Sequence, residues 1–172
     1  KYNSVVNKLD AGYSLFIHLN VTADPVSFEA FFDCGTKAET ADLASLEHRI
    51  YLGRNQTNGL QYSVFDGTGQ MKGTIGKADV FTSSSSWVTI GVTHTEDKAR
   101  LWVNGSEVTS NNLPMPSKVN RTQCFLGRSL LRNRPDNHDM VGNVRAVYGF
   151  SSPLFDADVG KLQTYIAQRW TP

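Results

Sequence analysis

WVTIGVTHTEDKARLWVNGSEV, running from Trp87 to Val108, sets two apolar runs, a charged turn and an Asn-Gly pair close together. Val88, Ile90 and Val92 alternate with polar or small residues, and after Thr95-Glu96-Asp97-Lys98 the alternation resumes at Ala99, Leu101 and Val103. A period of two gathers one set of side chains on a single face, so two such runs joined by a short polar turn predict a β-hairpin half buried against a core. Asn104-Gly105 tolerates positive φ at little cost, and a third short strand is expected to start near Glu107.

The same alternation extends in both directions. Upstream it predicts strands at Tyr13 to Thr22, with Tyr13, Leu15, Ile17, Leu19 and Val21 on one face, and at Ser27 to Cys34, ending at Gly35. Thr36 to Glu47 reads as a long polar loop with room for a helical turn, followed by strands at His48 to Gly53 and Leu60 to Asp66 and shorter ones near Met71 to Ile75 and Ala78 to Thr82. Downstream come Gln123 to Gly127 and Asn143 to Phe150. About ten strands at this spacing predict an all-β antiparallel sandwich or jelly roll. One helix closes the chain: Asp156 can cap it, and Val159, Leu162, Ile166 and Trp170 form a stripe able to pack on the outside of a sheet.

A chain of 172 residues fits one domain, 1–172, large enough to hold its own core. It begins at Lys1 without Met or an apolar leader, as a mature product or an excised piece would. A net charge of +1 gives no general attraction to nucleic acid or acidic membranes. No apolar run approaches the roughly twenty residues that span a bilayer.

The chain has 2 cysteines and 4 histidines, without the spacing of a zinc site. A disulfide between Cys34 and Cys124 is the expectation, resting on compartment: Asn-X-Ser/Thr acceptors at Asn20, Asn55, Asn104 and Asn120 matter only in a secreted protein. Asn20 and Asn104 lie opposite the apolar residues of their strands and Asn55 and Asn120 in loops, so all four are expected to be exposed.

Trp87-Val88-Thr89-Ile90-Gly91-Val92-Thr93 followed by Ala99-Arg100-Leu101-Trp102-Val103-Asn104-Gly105 resembles the central hairpin of laminin G-like domains in the concanavalin A-like lectin/glucanase superfamily. Phe125-Leu126-Gly127-Arg128-Ser129 is similar to the strand and turn that follow it there. Gly142-Asn143-Val144 to Phe150, with Leu154 to Val159 and Tyr165 to Trp170, resembles the closing strand and terminal helix of many members. The resemblance implies a concanavalin A-like sandwich and a glycan or protein ligand. Two departures limit what it carries over. Many relatives close with Gly-x-Ile-Asp-Glu-Val, whose acidic residue helps hold calcium; here Arg145 and Ala146 stand in those positions, and a cation beside Arg145 would be repelled. The closely spaced strand carboxylates of the glucanase branch are also missing.

Glu29 and Asp33 are the nearest approach to a carboxylate pair, but four residues span roughly 13 Å along a strand, beyond the usual range for glycoside cleavage. Both read as solvated face residues, Asp66 as a turn residue, and His48 and His94 as strand histidines satisfied by neighbouring carbonyls. No phosphate loop, His-Glu-x-x-His helix or Gly-x-Ser-x-Gly elbow occurs, and no cofactor is implied. The segment from Gly127 to Asp139 is dense in forked donors and hydroxyl partners, which makes Arg128, Arg132, Arg134, Asp136, Asn137 and His138 the candidate ligand contacts. Trp102, opposite Leu101 and Val103, either stacks on a sugar or packs beneath a loop or helix. The expected function is a non-catalytic, secreted recognition or adhesion module for a glycan or protein ligand. A structural subunit that self-assembles through sheet edges and a divergent glycoside hydrolase are the alternatives.

Overall fold

The computed structural model describes residues 12–21, 28–36, 47–82, 86–131 and 137–170, and for Asn137 and His138 the backbone alone. In these residues the strands run β1 (Tyr13–Val21), β2 (Phe28–Gly35), β3 (Ile50–Arg54), β4 (Leu60–Phe65), β5 (Met71–Lys77), β6 (Trp87–His94), β7 (Lys98–Val103), β8 (Ser106–Asn112), β9 (Gln123–Leu126), β10 (Asn137–Asp139) and β11 (Gly142–Phe150). A single helix, α1 (Asp156–Trp170), follows. The loop expected over Thr36 to Glu47 falls mostly outside the described residues.

The strands form two sheets packed face to face. One holds five strands in the order β11-β1-β6-β7-β8; the other holds six, ordered β10-β2-β3-β4-β5, with β9 also pairing with β2. The opening hairpin is β6–β7, with Ile90 opposite Val103 and Val92 opposite Leu101, and Thr95 closes its turn through a 2.8 Å bond from its amide to the Lys98 carbonyl. Asn104 adopts φ +50° and Gly105 φ +81°, the left-handed pair that a two-residue hairpin turn requires.

Between the sheets lies a core that includes Leu15, Ile17, Leu19, Phe32, Leu52, Tyr62, Ile90, Val92 and Leu101. A second cluster forms outside the five-stranded sheet, where Val159 and Leu162 of α1 pack on Phe16, Trp102, Tyr148 and Phe150. Helices of this kind gain their stability from the covered stripe rather than from propensity. Gly91 makes room for the Phe16 ring, which a Cβ there would strike. Cys34 faces Cys124 directly across β2 and β9, and the two form a disulfide.

Three strand-level expectations differ from the structure. Ala78 to Thr82 is a turn, entered through Asp79 at φ +58° and held by the Phe81 amide on the Asn58 carbonyl; Phe81 is buried, so its apolar character reports core packing and not a strand. His48 sits in a turn at φ +54°, outside β3. β10 pairs with β2 in parallel, a pairing that needs no hairpin and leaves no local signal.

Candidate functional site

β11 pairs with β1 in register from Ser14–Phe150 to His18–Ala146 and then slips, so that Leu19 faces Val144 and Arg145 has no partner on β1. An extra strand residue of this kind re-aims its side chain. The Arg145 guanidinium lies 3.8 Å from the centroid of the Trp87 ring and donates to the carbonyl of Trp170 at 3.1 Å. That carbonyl stands at the C-terminal end of α1, where a cation also meets the negative end of the helix dipole.

Around Arg145 a cleft of about 450 Å³ opens between α1 and the outward face of the five-stranded sheet. Its floor is His18 and Thr89, register partners on β1 and β6, with His18 Nδ1 3.1 Å from Thr89 Oγ1. The imidazole stacks on Trp87, with centroids 5.3 Å apart and planes at 27°. Asn104 is locked in place: its Oδ1 accepts from the Thr89 amide at 2.9 Å, and its own amide donates to the Thr89 carbonyl at 2.8 Å. Gln163, Ile166, Ala167 and Trp170 of α1 form the facing wall. Gly105 lets the turn approach that wall, since a Cβ there would stand 3.0 Å from Gln163 Cβ.

Several polar groups of the cleft are uncommitted. Gln163 Oε1 is buried and has no hydrogen-bond partner among the described residues, and an unmet buried acceptor costs about 1–3 kcal/mol. Among the described residues Asn104 spends only its side-chain oxygen, and Arg145 spends one of the guanidinium's five donors. Burial, and secondarily the charge of Arg145, holds the His18 pKa below the ordinary histidine value, so its imidazole is neutral at pH 7. Among the described residues the lining includes no Asp or Glu. Glycoside cleavage by the usual route needs two carboxylates; this cleft offers the Trp170 indole and hydrogen-bonding groups, with the Trp87 ring already packed against His18 and Arg145.

Glu29 and Asp33 are not solvated face residues, and this overturns the expectation. A bulge between Ala30 and Phe32 places them on opposite sides of the sheet, where Glu29 pairs with Arg54 and Asp33 with Arg49, all four buried. Asp66 is the turn residue it was expected to be: its Oδ1 accepts from the Thr68 amide and hydroxyl and from the Gln70 amide. His94 is satisfied as expected, with Nε2 2.8 Å from the Leu113 carbonyl.

Of the candidate loop, the structure places the base. Arg128 packs 4.9 Å over the Phe125 ring. Asp33 Oδ2 accepts from Ser129 Oγ and the Leu130 amide at 3.3 and 2.8 Å, and Asp139 accepts from the Ser129 amide at 3.0 Å. Arg132, Arg134 and Asp136 lie outside the described residues, and Asn137 and His138 are placed only as backbone of β10, opposite Phe28 and Glu29.

Trp102 is corrected as a ligand contact: it is 3% exposed, packed with Phe16 and Val159, and its indole N–H donates to Thr93 Oγ1 at 3.0 Å. Asn20 is 6% exposed, contrary to the expectation for an acceptor, because β1 is an inner strand and Asn20 is flanked in register by Trp87 and Asn143. Asn104 and Asn120 are exposed and Asn55 half-buried. Of the cleft residues, sequence reasoning singled out Arg145, as a departure from the calcium pattern, and Asn104, as a glycan acceptor; it connected neither with His18, Trp87, Gln163 and Trp170.

Among the described residues no helix is long and apolar enough to cross a membrane, and no cluster of three or more His, Cys, Asp or Glu could hold a metal ion. No curated protein sequence matches the chain. Among solved structures it is similar to the carbohydrate-binding module CBM40 of the Ruminococcus gnavus IT-sialidase, at TM-score 0.74 and 11% identity over 93% of this chain and 86% of that one. It is also similar to the NanB sialidase of Streptococcus pneumoniae, at TM-score 0.71 and 15% identity over 92% of this chain and 25% of that one. The leech intramolecular trans-sialidase follows at TM-score 0.68 and 12% identity, over 90% and 23%. At these identities the likeness is one of fold. Residues 3–160 match the family described as concanavalin A-like lectin/glucanases superfamily, and with the sandwich and terminal helix in place the chain belongs to that superfamily.

Proposed function

We propose that this chain is a non-catalytic, extracellular recognition module that binds a glycan in the cleft between α1 and the five-stranded sheet. The carrying observation is the meeting of Trp170 with the uncommitted groups of Asn104, Gln163 and Arg145, the last held over the Trp87 ring, in a lining without carboxylates among the described residues. Sugars present an apolar ring face and hydroxyl edges, and aromatic surface beside amide and guanidinium groups matches both. The Ruminococcus gnavus module was solved bound to α2,3 sialyllactose and to α2,6 sialyllactose, which supports a glycan ligand for a chain of the same fold. The Cys34–Cys124 disulfide and the acceptors Asn55, Asn104 and Asn120 support an extracellular setting.

The Arg128–Asp139 segment is retained as a second recognition surface, favoured by the anchoring of its base on Asp33: loops that present ligand contacts do so from rigid supports. A glycan array probed with the native protein, Trp87→Ala and Arg132→Ala/Arg134→Ala separates the two surfaces. Loss of signal with Trp87→Ala at unchanged thermal stability supports the cleft. Loss only with the arginine pair moves recognition to the loop, and an array with no signal from the native protein overturns the glycan reading.

A further inference from the structure

We infer that the cleft selects saccharides carrying an anionic group, a carboxylate or a sulfate ester, and that Arg145 is the residue that selects them. The inference rests on the glycan reading and deepens it. Its basis is the charge inventory of the lining. Arg145 and His18 are the ionisable side chains there, His18 is neutral, and Arg145 has no carboxylate partner among the described residues. Two of the buried arginines are paired with acids, Arg49 with Asp33 and Arg54 with Glu29; the buried Arg121 donates to the carbonyls of His48 and Ser117, and Arg145 is exposed at the mouth of the cleft. Arg145 spends one donor on the Trp170 carbonyl at 3.1 Å and lies over the Trp87 ring, its guanidinium carbon 3.8 Å from the centroid. One bond to a carbonyl leaves a guanidinium further N–H donors, and the fork they form matches the paired oxygens of a carboxylate or sulfate.

Two further groups suit the rest of such a ligand. Gln163 Oε1, buried and without a partner among the described residues, can accept only from a donor, and a sugar hydroxyl is one. Asn104 Nδ2 donates and can take the oxygen of a second hydroxyl or of the anionic group itself. The bulge in β11 makes Arg145 the extra residue between Val144 and Ala146, without a register partner on β1.

The test is an array that holds neutral glycans beside their uronic-acid, sialylated and sulfated derivatives, probed with the native protein, Arg145→Gln, Arg145→Lys, Gln163→Leu and, as a charge control, Lys161→Gln, followed by titration of the strongest pair. Native protein should bind acidic members at least about tenfold more tightly than their neutral parents, the scale of one charge-assisted contact. Arg145→Gln should remove that preference, Arg145→Lys should keep part of it, and Lys161→Gln should leave it intact. Gln163→Leu should weaken binding of acidic and neutral members alike while melting no lower than the native protein, because it removes an unmet buried acceptor. That opposition guards against reading a folding defect as lost recognition. Equal binding of acidic and neutral members, or an acidic preference that survives Arg145→Gln, overturns the inference and leaves the glycan reading standing. No binding to any glycan overturns both.

Discussion

Asp33 receives two bonds from Arg49, from Nε at 2.7 Å and from an Nη at 2.6 Å, where the two side chains are 0% and 4% exposed. The same carboxylate takes the Leu130 amide at 2.8 Å, so one buried acid both neutralises an arginine and pins the segment after β9 to the sheet. Arg49 is in turn stacked against Tyr51 and Phe65, 4.8 and 5.4 Å from their centroids.

Breaking this pair from one side should be costly, because the other charge stays buried. Asp33→Ala or Arg49→Ala is expected to lose about 3–5 kcal/mol in urea unfolding. The double replacement Asp33→Leu/Arg49→Met should lose less than either. Asp33→Ala should also speed proteolytic cleavage near Ser129 to Leu131. Single variants within about 0.5 kcal/mol of the native protein would show that the pair is dispensable.

His94 ties stability to pH. Its Nε2 donates to the Leu113 carbonyl and its Nδ1 accepts from the Tyr62 hydroxyl at 2.8 Å, which requires the neutral ring, and burial holds its pKa below the ordinary value. The unfolded chain therefore takes up a proton first as pH falls. The contribution is complete above about pH 6.5 and declines as pH drops toward the folded value, by at most about 1.4 kcal/mol per pH unit. Urea unfolding between pH 8 and 5 should show this slope, and His94→Gln should flatten it; a slope unchanged in that variant would assign the effect elsewhere.

Two glycines should respond oppositely to alanine. A Cβ on Gly160, in the exposed interior of α1, meets nothing within 4 Å, so Gly160→Ala should stabilise by about 0.5–1 kcal/mol. At Gly91 the Cβ would strike the Phe16 ring, and Gly91→Ala should cost about 1–3 kcal/mol. Thermal melts of the two variants check both signs.

Cys34 and Cys124 close a loop with a sequence separation of 90. In the chain-entropy account, such a cross-link stabilises by about 4 kcal/mol through the unfolded state. Unfolding with and without reductant measures the difference, and two thiols titrating in the native, unreduced protein would remove the bond.

Glycans are expected on at least one of Asn55, Asn104 and Asn120 and not on Asn20, whose side chain is buried in β1. A glycan on Asn104 would occupy the cleft it lines, so ligand-binding protein should carry that asparagine unmodified. Peptide mass mapping of protein from its native source decides each site.

The hairpin from Trp87 to Val103 was legible because its signal is local: alternation in one strand records which side chains leave water, and the turn residues record the reversal. The stripe Val159, Leu162, Ile166 and Trp170 was legible for the same reason, at helical period. Even the pairing of Cys34 with Cys124 could be expected, since only two cysteines were available.

What lies on the outer faces was not legible. Glu29 and Asp33 share a face in any regular strand, and one bulged residue at Phe31 separates them. Asn20 points away from the apolar set as periodicity requires, yet it is buried because strands lie on both sides of β1. Tyr51 and Phe65 fall in the predicted strands His48 to Gly53 and Leu60 to Asp66, but nothing local marks them as the bed of Arg49. Sequence alone determined the strands, the hairpin register and the apolar set that makes a sandwich of this chain, because those follow from neighbours a few residues apart. Only the tertiary structure decided the cleft, because His18, Trp87, Arg145 and Gln163 meet through sheet order, a bulge and the docking of α1, and no local pattern encodes contacts between segments so far apart in the chain.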